Sequence, residues 1–266
     1  MKKRKNVTIV VANKKGGVGK STTSLALYSC LTELGYKCLL IDNDPQCNSS
    51  LVFKADMSDG IPTLYDVYFP NEKPKMKDII QHTEFGDIVP ADKLLQEAEK
   101  AIPQSVKMYK YLLIGIESVS DIYDFTIVDT GPSLGILTGN ALYAADYVLT
   151  PVDCSLFSVQ GLISFYKFVK EFQEDRTPDR PLKMAGLLIV KYKSRLNLTA
   201  DILESLENTA KTMNCKVFDS KIRESVRVQE AQVLRVPLGV HAPNCTSYAD
   251  YMNFTKELLE IIGGNN

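Results

Sequence analysis

The apolar run VTIVVA, residues 7–12, leads directly into NKKGGVGKST, residues 13–22. No other junction constrains the fold as strongly. A short β-branched run bounded by polar residues reads as a buried strand. The glycines at 16, 17 and 19 let the backbone approach a ligand without Cβ clashes. A helix then starts near Lys20, and its first N–H groups have no helical partner. Strand, glycine-rich turn and helix N-terminus in that order make an anion cradle. In such a loop Lys20 neutralises charge on the outer phosphates and the Ser21 hydroxyl ligates Mg²⁺. One letter is out of pattern. The usual form is G-x-x-x-x-G-K-[ST], and Lys14 stands where its first glycine falls, followed at once by Lys15.

The rest of the chain repeats the strand–helix rhythm. CLLID (38–42), FTIVD (125–129), YVLTPV (147–152) and MAGLLIV (184–190) read as buried parallel strands. Helical patterns cover 21–34, 134–145, 159–174, 198–213 and 247–262. Residues 60–120 are less regular, with short helices around one candidate strand, DIVPA. This alternation predicts an α/β fold: a three-layer α/β/α arrangement on a mostly parallel twisted sheet, as in P-loop NTPases. With 266 residues, no internal repeat and no Gly/Ser or Pro linker, residues 7–266 are expected to form one domain. Residues 1–6 are expected to be a flexible basic tip.

Composition removes several function classes. The net charge of -1 advertises neither nucleic acid nor membrane, so such binding would need a local patch. Six scattered cysteines with no C-x-x-C pair give neither a zinc site nor a redox motif, and suit reduced thiols in the cytoplasm. Two histidines in the whole chain argue against a histidine-based metal or general-base site, leaving Lys, Asp and backbone groups. No apolar run approaches the roughly 18 residues of a membrane span.

Three carboxylates, in two stretches of the chain, complete the loop chemistry. Asp129 ends an apolar strand, the position of a Walker-B aspartate that meets magnesium through its water shell. Asp42 and Asp44 flank Asn43 just past another strand, ahead of Pro45. Aspartates this close repel each other unless they face a cation or donors, which a Mg²⁺-nucleotide supplies.

Together Lys15–Thr22, Asp42–Asn48 and Ile127–Gly135 resemble the deviant Walker A ATPases, specifically the ParA-type DNA partition ATPases. The likeness continues through residues 138–162, 191–198 and 222–231. It implies ATP and Mg²⁺ as ligands, held by Lys15, Gly16, Gly17, Val18, Gly19, Lys20, Ser21 and Thr22, with catalysis by Lys15, Lys20 and Asp44. Lys15 takes the place of the signature lysine, which in an ATP-sandwich homodimer reaches the nucleotide of the other subunit. Asp44 would position the attacking water, and Asp42 and Asp129 would support the metal through water. Hydrolysis would be slow and partner-stimulated. The resemblance also implies nonspecific DNA binding through Arg195, Arg223, Arg227 and Arg235, a ParB-like centromere-binding partner, no membrane, and a place in the cytoplasm on the nucleoid. Local charge agrees: residues 183–235 hold ten Lys/Arg against six Asp/Glu, a balance of +4, in a chain of net charge -1.

Four departures from the family pattern stand out. Gly131 replaces a proline, Cys47 replaces the glycine after DPQ, Lys191 stands at a position more often Thr or Asn, and VLRVPLG differs from S-x-G-x-P. Other readings are weaker. A MinD-like membrane ATPase needs a basic amphipathic C-terminus, and FTKELLEIIGGNN is a poor one. A nitrogenase-iron-protein-like reductase needs paired cluster cysteines that the chain lacks. The intact pair of Lys20 and Asp44 argues against a nucleotide-gated scaffold with negligible turnover, which a turnover assay would decide.

Overall fold

The computed structural model describes residues 6–69, 75–101, 109–193 and 199–263. Its strands are β1 (Val7–Val11), β2 (Cys38–Asn43), β3 (Gln81–Thr83), β4 (Gly86–Val89), β5 (Phe125–Thr130), β6 (Tyr147–Asp153), β7 (Lys183–Tyr192) and β8 (Val217–Arg223). They form one eight-stranded sheet in the order β3-β4-β2-β5-β1-β6-β7-β8. Every pairing is parallel except β3 with β4.

The central strands read as unbroken apolar runs because both faces are covered. Side chains alternate between two cores. Ile9 and Val11 join Leu27, Leu31, Phe254 and Leu258 on one face, under helices Lys20–Glu33 and Thr246–Gly263. Val10 and Val128 join Leu142, Phe165 and Val169 on the other, under helices Ile136–Ala144 and Leu156–Glu174. Parallel strands send all their C-termini to one edge. That edge therefore collects the loops after β1, β2, β5, β6, β7 and β8, and β1 sits between β5 and β6, where the strand order reverses.

Three local expectations needed revision. Asn6 is not part of a loose tip: it is 4% exposed, and its Nδ2 donates to Tyr123 O and Thr126 Oγ1, both at 3.1 Å. Residues 1–5 lie outside the described residues. Strand β8, VFDSKIR, does not show in the hydrophobic pattern because it is an edge strand with only Phe218 and Ile222 buried. In the 60–120 region the single strand expected at DIVPA is the second arm of a hairpin, β3–β4, closed at Gly86 with φ 124. A Cβ at Gly86 would lie 2.0 Å from the Tyr28 hydroxyl oxygen, so the turn requires glycine.

Candidate nucleotide site

The loop after β1 has the geometry of an anion cradle. Gly17 and Gly19 adopt φ 69 and φ 87, values that favour glycine. Gly19 caps helix Lys20–Glu33 without a side-chain hydrogen bond, which leaves the first N–H groups for a ligand. Lys20 is only 7% exposed, and its Nζ donates to the Lys15 carbonyl at 3.0 Å. Burial pulls the Lys20 pKa down, against the opposing charges of Asp129 and Asp44.

The three aspartates come from two neighbouring strands. Asp42 and Asp129 are register partners on β2 and β5, and both are fully buried. Asp42 accepts from Ser50 N and Oγ, both at 2.7 Å. Asp129 accepts from Ser49 Oγ at 2.7 Å and Ser24 Oγ at 3.1 Å, and also interacts with the Ser21 hydroxyl. Burial raises the pKa of both carboxyls, and their mutual or neighbouring negative charge adds to it. Asp44, 6% exposed, accepts the Gln46 N–H at 3.0 Å. A Cβ at Gly131 would stand 3.1 Å from Asp44 Oδ1, so glycine in place of the family proline gives this carboxylate its room. Cys47 is the N-cap of the next helix at φ 55, a conformation that glycine, the residue of the family pattern, adopts at no steric cost.

The two lysines ahead of the glycines part company. Lys14 Nζ donates to Ser164 Oγ at 3.2 Å in an exposed contact. Lys15 Nζ donates to Asp153 Oδ1 at 2.8 Å, Asp153 Oδ2 at 2.6 Å and Ser155 Oγ at 2.9 Å, at the end of β6. The loop's entry is fixed by Asn13, whose Oδ1 accepts Lys15 N–H at 3.0 Å while its Nδ2 donates to Pro151 O at 2.8 Å.

A cleft of about 790 Å³ opens over the loop, within the size range of small-molecule sites. Lys20, Ser21, Thr22 and Asp44 line one side, and residues following β7 and β8 line the other. Gln232 spans it, with Nε2 donating to Thr22 Oγ1 at 2.9 Å. Of the four arginines assigned to DNA, Arg223 and Arg235 line this cleft. Arg223 is gripped by Asp250 through Nε at 2.9 Å and Nη2 at 2.6 Å. Arg235 ends helix Val226–Leu234 at φ 53, the place of the family glycine. Arg227 points to Glu230 at 2.8 Å, and His241 Nε2 lies 3.0 Å from the same Glu230 oxygen. Arg195 lies outside the described residues. Sequence reasoning missed Ser24, Ser49, Ser50, Asp153, Ser155 and Gln232. Asp153, Ser155 and Gln232 reach the site from far along the chain, and Ser24, Ser49 and Ser50, though close to the motifs in sequence, carry no pattern that marks them.

The residues fit a magnesium-bound nucleotide. Among the described residues no cluster of three or more His, Cys, Asp or Glu could hold a metal alone. Magnesium commonly takes one or two carboxylates and completes its shell with water and phosphate. Ser21 lines the cleft, and Asp129 and Asp42 lie buried behind it, a partial set of that kind; a cation there would offset the burial that raises the pKa of both carboxyls.

Known proteins resemble this chain over most of its length. The AAA domain family matches residues 6–183. The sporulation initiation inhibitor protein Soj of Bacillus subtilis is 33% identical over 252 residues, covering 94% of this chain and 97% of Soj. The chain belongs to the ParA-type ATPases. The chromosome partitioning protein ParA of Caulobacter vibrioides is 30% identical over 254 residues, 94% of this chain and 93% of that protein. Cobyrinic acid a,c-diamide synthase of Mycobacterium smegmatis, solved with a bound ATP analog and magnesium, superposes with a TM-score of 0.83. It is 27% identical, with 98% of this chain and 97% of that chain covered. This ParA-type chain is an ATPase, and the magnesium bound with nucleotide in the solved neighbour is consistent with ATP and Mg²⁺ as its ligands. When bound, the ion neutralises charge on the phosphate oxygens.

Proposed function

We propose that this ATPase is a nucleotide-gated dimer that binds nonspecific DNA and segregates a DNA cargo with a ParB-like centromere-binding partner. One catalytic domain, residues 7–266, carries all of it. The N–H groups of residues 16–22 and the Lys20 ammonium hold the phosphates. Ser21 ligates the ion, with Asp129 and Asp42 acting through its water shell. Asp44, at the cleft wall, orients the attacking water and takes its proton. Lys15 completes the site of the other subunit.

The observation that carries this reading is the divergence of the two lysines. Lys20 is buried beside the aspartates, whereas the Lys15 ammonium is turned away to Asp153 and Ser155. A cation tethered outside its own site is placed to be delivered elsewhere, so that hydrolysis waits for a second copy. Arg223, Arg227, Arg235 and Arg195 then make sequence-independent phosphate contacts that dimerisation doubles, on the nucleoid in the cytoplasm. No membrane role is included. The apolar residues of the C-terminal helix, Tyr251, Phe254 and Leu258 among them, are buried in the core. Among the described residues no helix is long and apolar enough to cross a membrane.

The test is Lys15→Ala, with sedimentation and turnover measured under Mg-ATP. ATP binding should persist while dimerisation and hydrolysis are lost. Lys20→Ala should instead lose productive nucleotide binding, and Asp44→Ala should accumulate an ATP-bound dimer. A Lys15→Ala protein that dimerises and turns over normally refutes the delivery of the lysine in trans.

A further inference from the structure

Lys191 sits one residue before the end of β7 at φ 54, a left-handed conformation that is costly for a residue with a side chain. The β7–β8 pairing shifts register between Ile189 and Tyr192, so the chain bulges at this point. Such a bulge re-aims a side chain, and here Lys191 Nζ donates to the Gly17 carbonyl of the phosphate loop at 2.8 Å. Lys191 also lines the cleft together with Lys20, Ser21 and Thr22.

Its partner, like that of Lys20 but unlike those of three other cations nearby, is a neutral carbonyl. Lys15 has Asp153, Lys193 has Glu224 at 2.7 Å, and Arg223 has Asp250. Among the described residues, Lys191 has a neutral carbonyl and no carboxylate within ion-pair distance. The ammonium makes a charge-assisted hydrogen bond to either acceptor, but an anionic oxygen adds Coulombic attraction that a neutral carbonyl lacks. An anionic phosphate oxygen in the loop is therefore a better acceptor than the Gly17 carbonyl, and the flexible lysine stem allows the exchange.

We propose that Lys191 is a further phosphate-binding residue of the ATP site, whose ammonium leaves the Gly17 carbonyl for the anionic oxygens of the triphosphate bound in the same chain. The strained backbone is retained because it delivers this charge. Lysine here adds a contact that threonine or asparagine at the same position does not provide.

The experiment is calorimetric titration with magnesium and a non-hydrolysable ATP analogue, using wild type, Lys191→Ala, Lys191→Gln and Lys191→Arg. Thermal melting without nucleotide checks folding, and Lys191→Gly, which suits the left-handed backbone, replaces the alanine variant should that fail to fold. Loss of one exposed charged contact should weaken binding about tenfold in the alanine and glutamine variants. Arginine should keep affinity within about threefold of wild type. Glutamine still has an N–H for the Gly17 carbonyl but carries no charge. Wild-type affinity in Lys191→Gln therefore overturns the proposal and makes Lys191 a strut of the loop. Unchanged affinity in Lys191→Ala, or a loss in Lys191→Arg equal to that in alanine, overturns it as well.

Discussion

Releasing Lys15 from its own chain should strengthen ATP-dependent dimerisation. The tether has contacts of 2.8 and 2.6 Å to Asp153 and 2.9 Å to Ser155. Its side chains are 32% and 23% exposed, so the pair is neither buried nor fully screened. Exposed ion pairs contribute up to about 1 kcal/mol, and hydrogen bonds to charged groups somewhat more. About 1 kcal/mol per chain is a fair figure for the cost of freeing the lysine. A sandwich dimer bears that cost twice, once per subunit, or about 2 kcal/mol, which corresponds to about thirtyfold in the dimer dissociation constant. Asp153→Asn keeps the size and one acceptor but removes the charge, so it should recover part of this, about five- to tenfold. The assay is sedimentation equilibrium across protein concentrations, with magnesium and a non-hydrolysable ATP analogue at saturation. The gain should shrink at high salt, because half-exposed charges are screened. A dimer constant unchanged or weakened in Asp153→Asn, at matched nucleotide occupancy, refutes the idea that the tether opposes dimerisation.

Two further outcomes follow from carboxylates elsewhere. Glu230→Gln removes the charge that engages Arg227 at 2.8 Å, so nonspecific DNA binding at low salt should tighten by about threefold, and Arg227→Ala should cancel the gain and flatten the salt dependence; fluorescence anisotropy across a salt series checks both. Glu257 accepts from Lys216 Nζ at 2.7 Å, Asp219 N at 3.0 Å and Ser220 N at 3.1 Å, which ties the C-terminal helix to β8. Burial pushes the Glu257 pKa up, but these donors outweigh it and hold the carboxyl below its ordinary value. Its stabilisation is therefore present above the unfolded pKa of about 4.3 and is lost as pH falls through the lower folded value. Denaturant melts should show Glu257→Gln less stable than wild type by about 1 kcal/mol at pH 7, with the gap closing as the medium is acidified below about pH 4; a gap that does not change with pH would contradict the assignment.

The phosphate loop was legible residue by residue because its chemistry is local. Glycines that tolerate positive φ, a lysine and a hydroxyl at a helix start act through a few consecutive backbone N–H groups, so a linear pattern describes them. The central strands were legible for a related reason: burial on both faces leaves a continuous apolar run. β8 was not, because an edge strand with one covered face carries the same charged residues as a loop. The roles of neighbours were equally hidden. That Asp42 and Asp129 are register partners depends on β2 lying beside β5, a pairing of segments more than 80 residues apart. Only the sheet order brings them together.

By itself, the sequence determined that an anion cradle must follow β1 and that two carboxylate groups are available to a metal ion. The tertiary structure decided what those charges face. It sends Lys20 inward to the aspartates and Lys15 outward to Asp153, although the two are five residues apart. It also pairs Arg223 and Arg227 with acids and turns Lys191 onto the loop. The reason is physical: backbone conformation at a glycine-rich turn follows from local sterics, whereas the environment of a charge is set by whichever distant side chains the packed sheet edge brings within a few ångströms.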